Sequence, residues 1–201
     1  YTYAGNDPVN FLDLWGLVNI ALARVDMHDD RWKNEFLGNS KEIQVYQQGC
    51  YESAFSSGAS GLTGNDVTPS TMNRDKDINF AKDSQNMIPA KAAENLGLTH
   101  DYWTKGKQGD LSTKINEMNN SETKYAVLAQ VPYNHEGDLH WVGVNGGSVT
   151  MGGVEYVEIT GSSKFDYIKR SRPKDWKYDD DKVFIPTSNI VRIDTLTKNN
   201  K

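Results

Sequence analysis

Residues 125–160 read YAVLAQVPYNHEGDLHWVGVNGGSVTMGGVEYVEIT, and this stretch decides the fold. Tyr125–Val131 is an apolar run typical of a buried strand. His140–Val144 and Val154–Ile159 add two strands in which apolar residues recur at alternate positions. The glycine-rich sequence between these two strands predicts a hairpin. This part of the chain therefore predicts an antiparallel sheet.

The first half of the chain has the signals of helices and loops. Pro89–Gly97 has a proline near its start and a glycine at its end, as helices commonly do. Asp110–Asn119 places its apolar residues on one face at helical spacing. Near the end of the chain, Val183–Ile185 and Ile190–Ile193 predict two short strands. N-terminal helices packed on a C-terminal antiparallel sheet define an α+β fold.

Composition restricts the class of protein. The 201 residues suffice for one domain, and 37% hydrophobic with 24% charged residues is typical of a globular chain. No apolar run approaches the roughly 20 residues of a membrane span. The net charge of −5 argues against a nucleic-acid surface, because proteins that bind nucleic acid usually present a basic face. We therefore expect neither membrane insertion nor a nucleic-acid partner.

The chain has one cysteine, Cys50, which follows a glycine at the predicted start of a helix. A single cysteine excludes an intramolecular disulfide and a cysteine-rich zinc site, and we expect no metal or cofactor. A helix N-terminus lowers the pKa of a thiol, because its free N–H groups and dipole favour the thiolate. Gln44 lies six residues before Cys50. Its side-chain amide and the backbone N–H of Cys50 would form an oxyanion hole.

A thiol nucleophile needs a base, and the chain offers four histidines. His28 and His100 lie in polar surroundings with no predicted strand beside them, and His135 lies in a loop. His140 opens an alternating strand, where the backbone fixes its ring and Trp141 shields it from water. We therefore predict His140 as the general base and later the general acid.

Gln44, Cys50, the following helices, a buried strand and then His140–Val144 resemble a papain-like cysteine peptidase, most closely the bacteriocin-processing branch that trims leader peptides. The similarity covers residues 43–163. It implies a papain-like α+β fold and hydrolysis of peptide bonds. In that branch the next strand ends with an Asp that orients the histidine, whereas Thr160 stands at this position here. Thr160 is therefore a candidate for the third catalytic position. Ser162 lies near it, Asp166 is the first carboxylate beyond, and a dyad is the remaining alternative.

The first residues, YTYAGNDPVNFLDLWGL from Tyr1 to Leu17, resemble the end of an Rhs or YD-repeat shell. In that family the terminal pattern takes part in autoproteolysis after its last Leu, and a variable toxin follows. The resemblance implies a shell end at residues 1–17 and a toxin domain at residues 18–201. It also implies that Asp13 is one of two autocleavage acids and that the bond after Leu17 is cut. Leu14 replaces the proline of the family pattern and removes its rigid φ.

The two resemblances imply a secreted effector that is delivered into the cytoplasm of a competing bacterium, where its cysteine protease domain cleaves a cytosolic protein. The implied partners are this protein substrate, a cognate immunity protein and the Rhs shell of the parent chain. The Cys50 and His140 pair would also suit a peptidoglycan amidase, and it would suit a deamidase or transglutaminase toxin. A non-catalytic binding module with a buried Cys50 is a further alternative.

Overall fold

The computed structural model describes residues 25–132, 138–160 and 183–198. This part of the chain has the α-helices α1 (Val45–Gln48), α2 (Cys50–Thr63), α3 (Pro69–Arg74), α4 (Lys76–Asn79), α5 (Pro89–Asn95) and α6 (Leu111–Asn119). It has the strands β1 (Leu98–Thr104), β2 (Tyr125–Pro132), β3 (Leu139–Met151), β4 (Val154–Thr160), β5 (Val183–Pro186) and β6 (Arg192–Lys198). A 3₁₀ turn at Thr187–Asn189 precedes β6.

The strands form one sheet in the order β1-β6-β2-β3-β4-β5. Every neighbouring pair in it is antiparallel. The last strand, β6, lies between β1 and β2, so the end of the described chain is built into the middle of the sheet. The sheet and the helices occupy largely separate parts of the sequence, which confirms the predicted α+β class.

Helices α2 and α6 cover opposite faces of the sheet. Along each strand, successive side chains point alternately to these two faces and so join different core clusters. The face towards α2 includes Ala126, Leu128 and Leu196, which join one core cluster with Phe55 and Ala59. The other face carries a second core cluster, which α6 joins, and its members include Leu111, Ile115, Met118, Val127, Ala129, Val131, Val142 and Val144.

Helix α2 lies close to the sheet at Gly58, where a Cβ would come within 3.0 Å of the Cβ of Ala126. A residue larger than glycine would therefore push the helix away from β2. This close packing holds α2 firmly against the strands that carry the polar residues described below.

Several elements that the sequence predicts are present. Helix α5 begins at Pro89, and α6 begins after Asp110, whose carboxylate accepts a hydrogen bond from the backbone N–H of Thr113 at 2.9 Å. The predicted hairpin joins β3 to β4 through Gly152 and Gly153, both with positive φ. Such φ values are required by the tight turns that best match the twist of antiparallel strands.

Two strands differ from the prediction. The sequence analysis did not identify β1 as a strand, because most of its side chains are polar or partly exposed and give no alternating apolar signal. The strand predicted at Ile190–Ile193 instead runs over Arg192–Lys198. Ile190 is a fully buried residue that follows the 3₁₀ turn, so its apolar character reflects core packing outside a strand.

Candidate active site

Cys50 is the first residue of α2 and follows α1 after a single glycine. A Cβ on Gly49 would lie 2.5 Å from the carbonyl oxygen of Val45, so only glycine fits this tight connection. The thiol of Cys50 is half-buried. The sequence thus places its only thiol at a helix N-terminus, as predicted.

The Cys50 thiol lies beside the first residues of β3. Burial raises the pKa of the thiol, and the nearby backbone N–H groups of Trp141, Tyr51 and Cys50 itself lower it by a smaller amount. The net result is a raised pKa, which favours the neutral thiol. The expectation of a lowered pKa at this helix N-terminus is therefore wrong, because burial outweighs the stabilisation by the N–H groups. The thiol therefore lies close to the backbone of Trp141, the residue that follows His140.

The His140 side chain is 7% exposed. Burial, together with a smaller effect of the charge of nearby His28, lowers the pKa of its imidazole to about 4. His140 is therefore a neutral imidazole at neutral pH, the form that can accept a proton. His28 is exposed but close enough to act on His140, a proximity that its local sequence does not reveal.

Gln44 immediately precedes α1, and a neighbouring loop holds its side chain. Its Nε2 donates a hydrogen bond to the carbonyl oxygen of Asn34 at 3.0 Å, and its backbone N–H donates to Oε1 of Gln47 at 2.8 Å. An amide nitrogen carries two hydrogens, so the bond to Asn34 uses one of them. The bond to Asn34 holds the side chain in place and leaves the second N–H of its amide for another acceptor.

Thr160, the candidate for the third position, is the last residue of β4 and pairs with Gly143. Gly143 lies three positions along β3 from His140, which corresponds to about 10 Å at the usual rise of a strand. The pairing register therefore does not bring Thr160 beside His140. Asp13, Leu17 and His135 lie outside the described residues.

A buried polar network that the sequence analysis missed lies next to Cys50. Asp194 is fully buried and accepts hydrogen bonds from the Tyr51 hydroxyl at 2.8 Å and from Arg192 Nε at 2.6 Å. Its Oδ2 also lies 2.8 Å from Nε2 of His100. Burial raises the pKa of Asp194, but the hydrogen bonds from His100, Arg192 and Tyr51 lower it overall. Asp194 is therefore held as a carboxylate.

The position of His100 corrects the sequence analysis. We set His100 aside because no strand was predicted beside it, but it lies within β1 and reaches Asp194 on the neighbouring strand β6. The polar sequence of β1 hid the strand. Because 94 positions separate the two residues, no local pattern indicates that they meet.

Tyr51 and Trp141 link this network to the two chain segments that carry Cys50 and His140. Their ring centroids are 4.7 Å apart in an edge-to-face arrangement, a geometry that stabilises aromatic pairs by roughly 0.5 to 1.5 kcal/mol. Tyr51 follows Cys50 in the chain, and Trp141 follows His140. The network therefore fixes the backbone of both proposed catalytic residues at once.

A cavity of about 390 Å³ lies beside α2, on the side of Tyr51 and Trp141. Neither Cys50 nor His140 is among its lining residues in the described part of the chain. Glu52, two residues after Cys50, does line it. The cavity therefore borders the candidate active site without containing the two groups proposed to react.

The chain matches no known protein-family model and has no significant match among curated proteins. Within residues 25–132, 138–160 and 183–198, no helix is long and apolar enough to cross a membrane. In that same part of the chain, no three His, Cys, Asp or Glu side chains come together as a metal site would require. The geometry around Cys50 is thus the main evidence on function.

Proposed function

We propose that this chain is an Rhs-type interbacterial toxin whose papain-like cysteine protease domain cleaves a protein in the cytoplasm of a competing bacterium. The observation that carries the proposal is the edge-to-face contact of Tyr51 and Trp141, whose ring centroids are 4.7 Å apart. Because Tyr51 follows Cys50 and Trp141 follows His140, this contact brings the two segments together and supports a nucleophile and a base at one site. The resemblance of residues 1–17 to the end of an Rhs shell supports a toxin.

The proposed reaction begins from an uncharged pair. Burial raises the pKa of Cys50 and lowers that of His140 to about 4, so both groups are neutral before substrate binds. In the proposed first step, the sulfur of Cys50 attacks the carbonyl carbon of a peptide bond while the imidazole of His140 accepts the thiol proton. The electron pair of the C=O bond moves onto the oxygen.

The resulting oxyanion would accept hydrogen bonds from the backbone N–H of Cys50 and from the second side-chain N–H of Gln44. The oxyanion then collapses, the C–N bond breaks, and His140 donates its proton to the leaving amine. A thioester on Cys50 remains. Water, deprotonated by His140, attacks this thioester, which releases the acid product and returns the proton to the sulfur.

The arrangement of elements supports the papain-like part of the proposal. The proposed nucleophile begins the longest helix of the described chain, and the proposed base lies at the start of a strand in an antiparallel sheet. We propose a Cys50 and His140 dyad over a triad with Thr160, because the strand register places Thr160 beside Gly143.

The proposal also includes two partners and a processing step. A cognate immunity protein would protect the producing cell, and the Rhs shell of the parent chain would enclose the domain. Asp13 would take part in cleavage after Leu17. These proposals rest on the resemblance of residues 1–17 to the shell terminus.

Expression in bacterial cytosol tests the proposed function. Wild-type protein should stop growth without a signal peptide, whereas Cys50→Ala should be harmless and keep the same melting temperature within a few degrees. His135→Ala is the matched control and should stay toxic. Killing by a stable Cys50→Ala protein would rule out the protease. Killing only after export, with release of muropeptides, would establish a peptidoglycan amidase instead.

A further inference from the structure

The cavity beside α2 has walls suited to a peptide. Side-chain amides of Gln48, Gln85, Asn86 and Gln130 line it together with apolar groups such as Met87. Amides can both donate and accept hydrogen bonds, which matches the alternating donors and acceptors of an extended backbone. The volume of about 390 Å³ suffices for a few side chains but not for a folded domain.

Glu52 distinguishes this cavity from an ordinary surface groove. Its side chain is 2% exposed and lines the cavity, and neither carboxyl oxygen has a hydrogen-bond partner among the described residues. Ser56, one turn further along α2, is also buried with no partner for its hydroxyl in that part of the chain. Buried polar groups are almost always hydrogen-bonded in folded proteins, so an unpartnered carboxyl that lines a cavity is available to bind a ligand.

The charge around Glu52 favours a cation as this ligand. Burial raises the pKa of Glu52 well above its usual range, and the nearby Glu35 carboxylate raises it further, so its surroundings favour a neutral acid. Arg192 also lines the cavity, but its guanidinium is engaged by two hydrogen bonds to Asp194, at 2.6 and 3.0 Å. The positive charge in the cavity wall is thus balanced, and Glu52 would become a carboxylate only beside a cationic ligand.

We propose that Glu52 is the recognition group of a subsite that receives a lysine or arginine side chain of the protein substrate. This inference rests on the proposed protease function. When the cation enters, Glu52 loses its proton to the solvent and forms a charge-assisted hydrogen bond with the ammonium or guanidinium group. No other bond changes. Since Glu52 lies in the first turn of α2, the basic residue would lie close to the bond that Cys50 attacks.

Binding to a catalytically inert full-length chain tests the subsite. We would titrate the Cys50→Ala protein calorimetrically with capped hexapeptides of alanine that carry one lysine, one arginine or one norleucine. The lysine and arginine peptides should bind at least tenfold more tightly than the norleucine peptide. In buffers of different ionisation enthalpy, binding of the lysine peptide should release about one proton, and binding of the norleucine peptide none.

Two further variants complete the test. Glu52→Gln, made in the Cys50→Ala protein, should lose the preference for basic peptides and the proton release, and it should fold because glutamine matches a neutral glutamic acid in shape. Gln85→Ala lies in the same cavity without a charge and should keep the preference. The subsite is overturned if the norleucine peptide binds as well as the lysine peptide, if neither binds, or if Glu52→Gln keeps the preference.

These outcomes are separate from those of the proposed protease function. A Cys50→Ala protein that binds basic peptides, beside a wild-type protein that cleaves nothing, would retain the subsite and refute the protease. Cleavage by the wild-type protein with no basic residue near the cut bonds would retain the protease and refute the subsite.

Discussion

Two groups of polar residues in the described chain are held in different ways. Asp194 is a carboxylate fixed by hydrogen bonds from Tyr51 and Arg192 and by contact with His100. Cys50 and His140 are both shifted by burial towards their neutral forms. We propose a division of roles, in which the Asp194 network fixes positions and Cys50 and His140 stay neutral until the thiol proton moves to His140 in the reaction with a substrate.

The two buried acids near α2 show the same contrast. Hydrogen bonds lower the pKa of Asp194 in spite of burial, whereas burial and the Glu35 charge raise the pKa of Glu52. An acid with its partners built into the protein stabilises the fold. An acid without them costs stability unless it stays neutral or a ligand supplies the cation.

Removal of the Asp194 charge should give the largest effect on stability. Asp194→Asn takes a counterion from Arg192 and a carboxylate partner from His100 and Tyr51, so it should destabilise the protein by about 3 to 5 kcal/mol. Denaturant unfolding measures this. Asp101→Asn, on the exposed part of β1, is the matched control and should change stability by less than about 0.5 kcal/mol. Similar small losses from both variants would show that the network is not what holds α2 in place.

Gln44→Ala should act on the reaction and leave the fold nearly unchanged. Loss of one oxyanion donor typically reduces kcat by roughly 100- to 1,000-fold, which the backbone N–H of Cys50 alone would not restore. A peptide-cleavage assay measures the loss, and the melting temperature reports the fold. Glu42→Ala, at an exposed position two residues before Gln44, should keep its activity. Full activity of Gln44→Ala would remove this residue from the site.

The buried His140 should make stability depend on pH. Its pKa is about 4 in the folded protein and 6.5 ordinarily, so the unfolded chain binds more protons between these pH values. The contribution of His140 to the free energy of unfolding is therefore complete above pH 6.5. It is lost as the pH falls towards 4, by up to roughly 3 kcal/mol.

Chemical denaturation at several pH values checks this effect by comparison of the wild type with His140→Gln, since other titrating groups are common to both. The difference in stability between the two proteins should change most between pH 6.5 and 4. His28→Gln, an exposed control, should retain most of the wild-type dependence. Parallel pH curves for wild type and His140→Gln would mean that His140 is not buried as described.

Local sequence signals were enough to predict the elements that carry the proposed pair. The glycine before Cys50 and the alternating strand after His140 are features of a few adjacent residues, and the helix and the strand are both present. The Asp194 network could not be predicted in this way, because Tyr51 and Asp194 are 143 positions apart. Asp194 lies between Ile193 and Thr195 in β6, so in the sequence it resembles a solvent-facing acid.

Glu52 shows a different limit of sequence analysis. An acid in the first turn of a helix is ordinarily an exposed residue that complements the helix dipole. Only the packing of Leu37 and Phe80 around the same cavity shows that this acid is enclosed. For the proposed pair, one sequence signal could have indicated where the segments around Cys50 and His140 meet. Each of the two residues is followed directly by an aromatic residue, Tyr51 or Trp141, and these two rings are in contact.

The most direct test of the central claim, that Cys50 and His140 act as one catalytic pair, is the mass-spectrometric identification of new protein N-termini in a bacterial cytosolic lysate. We predict a small set of new termini with the wild-type protein, and none with Cys50→Ala or with His140→Ala, while all three proteins remain folded. If folded Cys50→Ala or His140→Ala generates the same termini as the wild type, or if the wild type generates none, the account is contradicted.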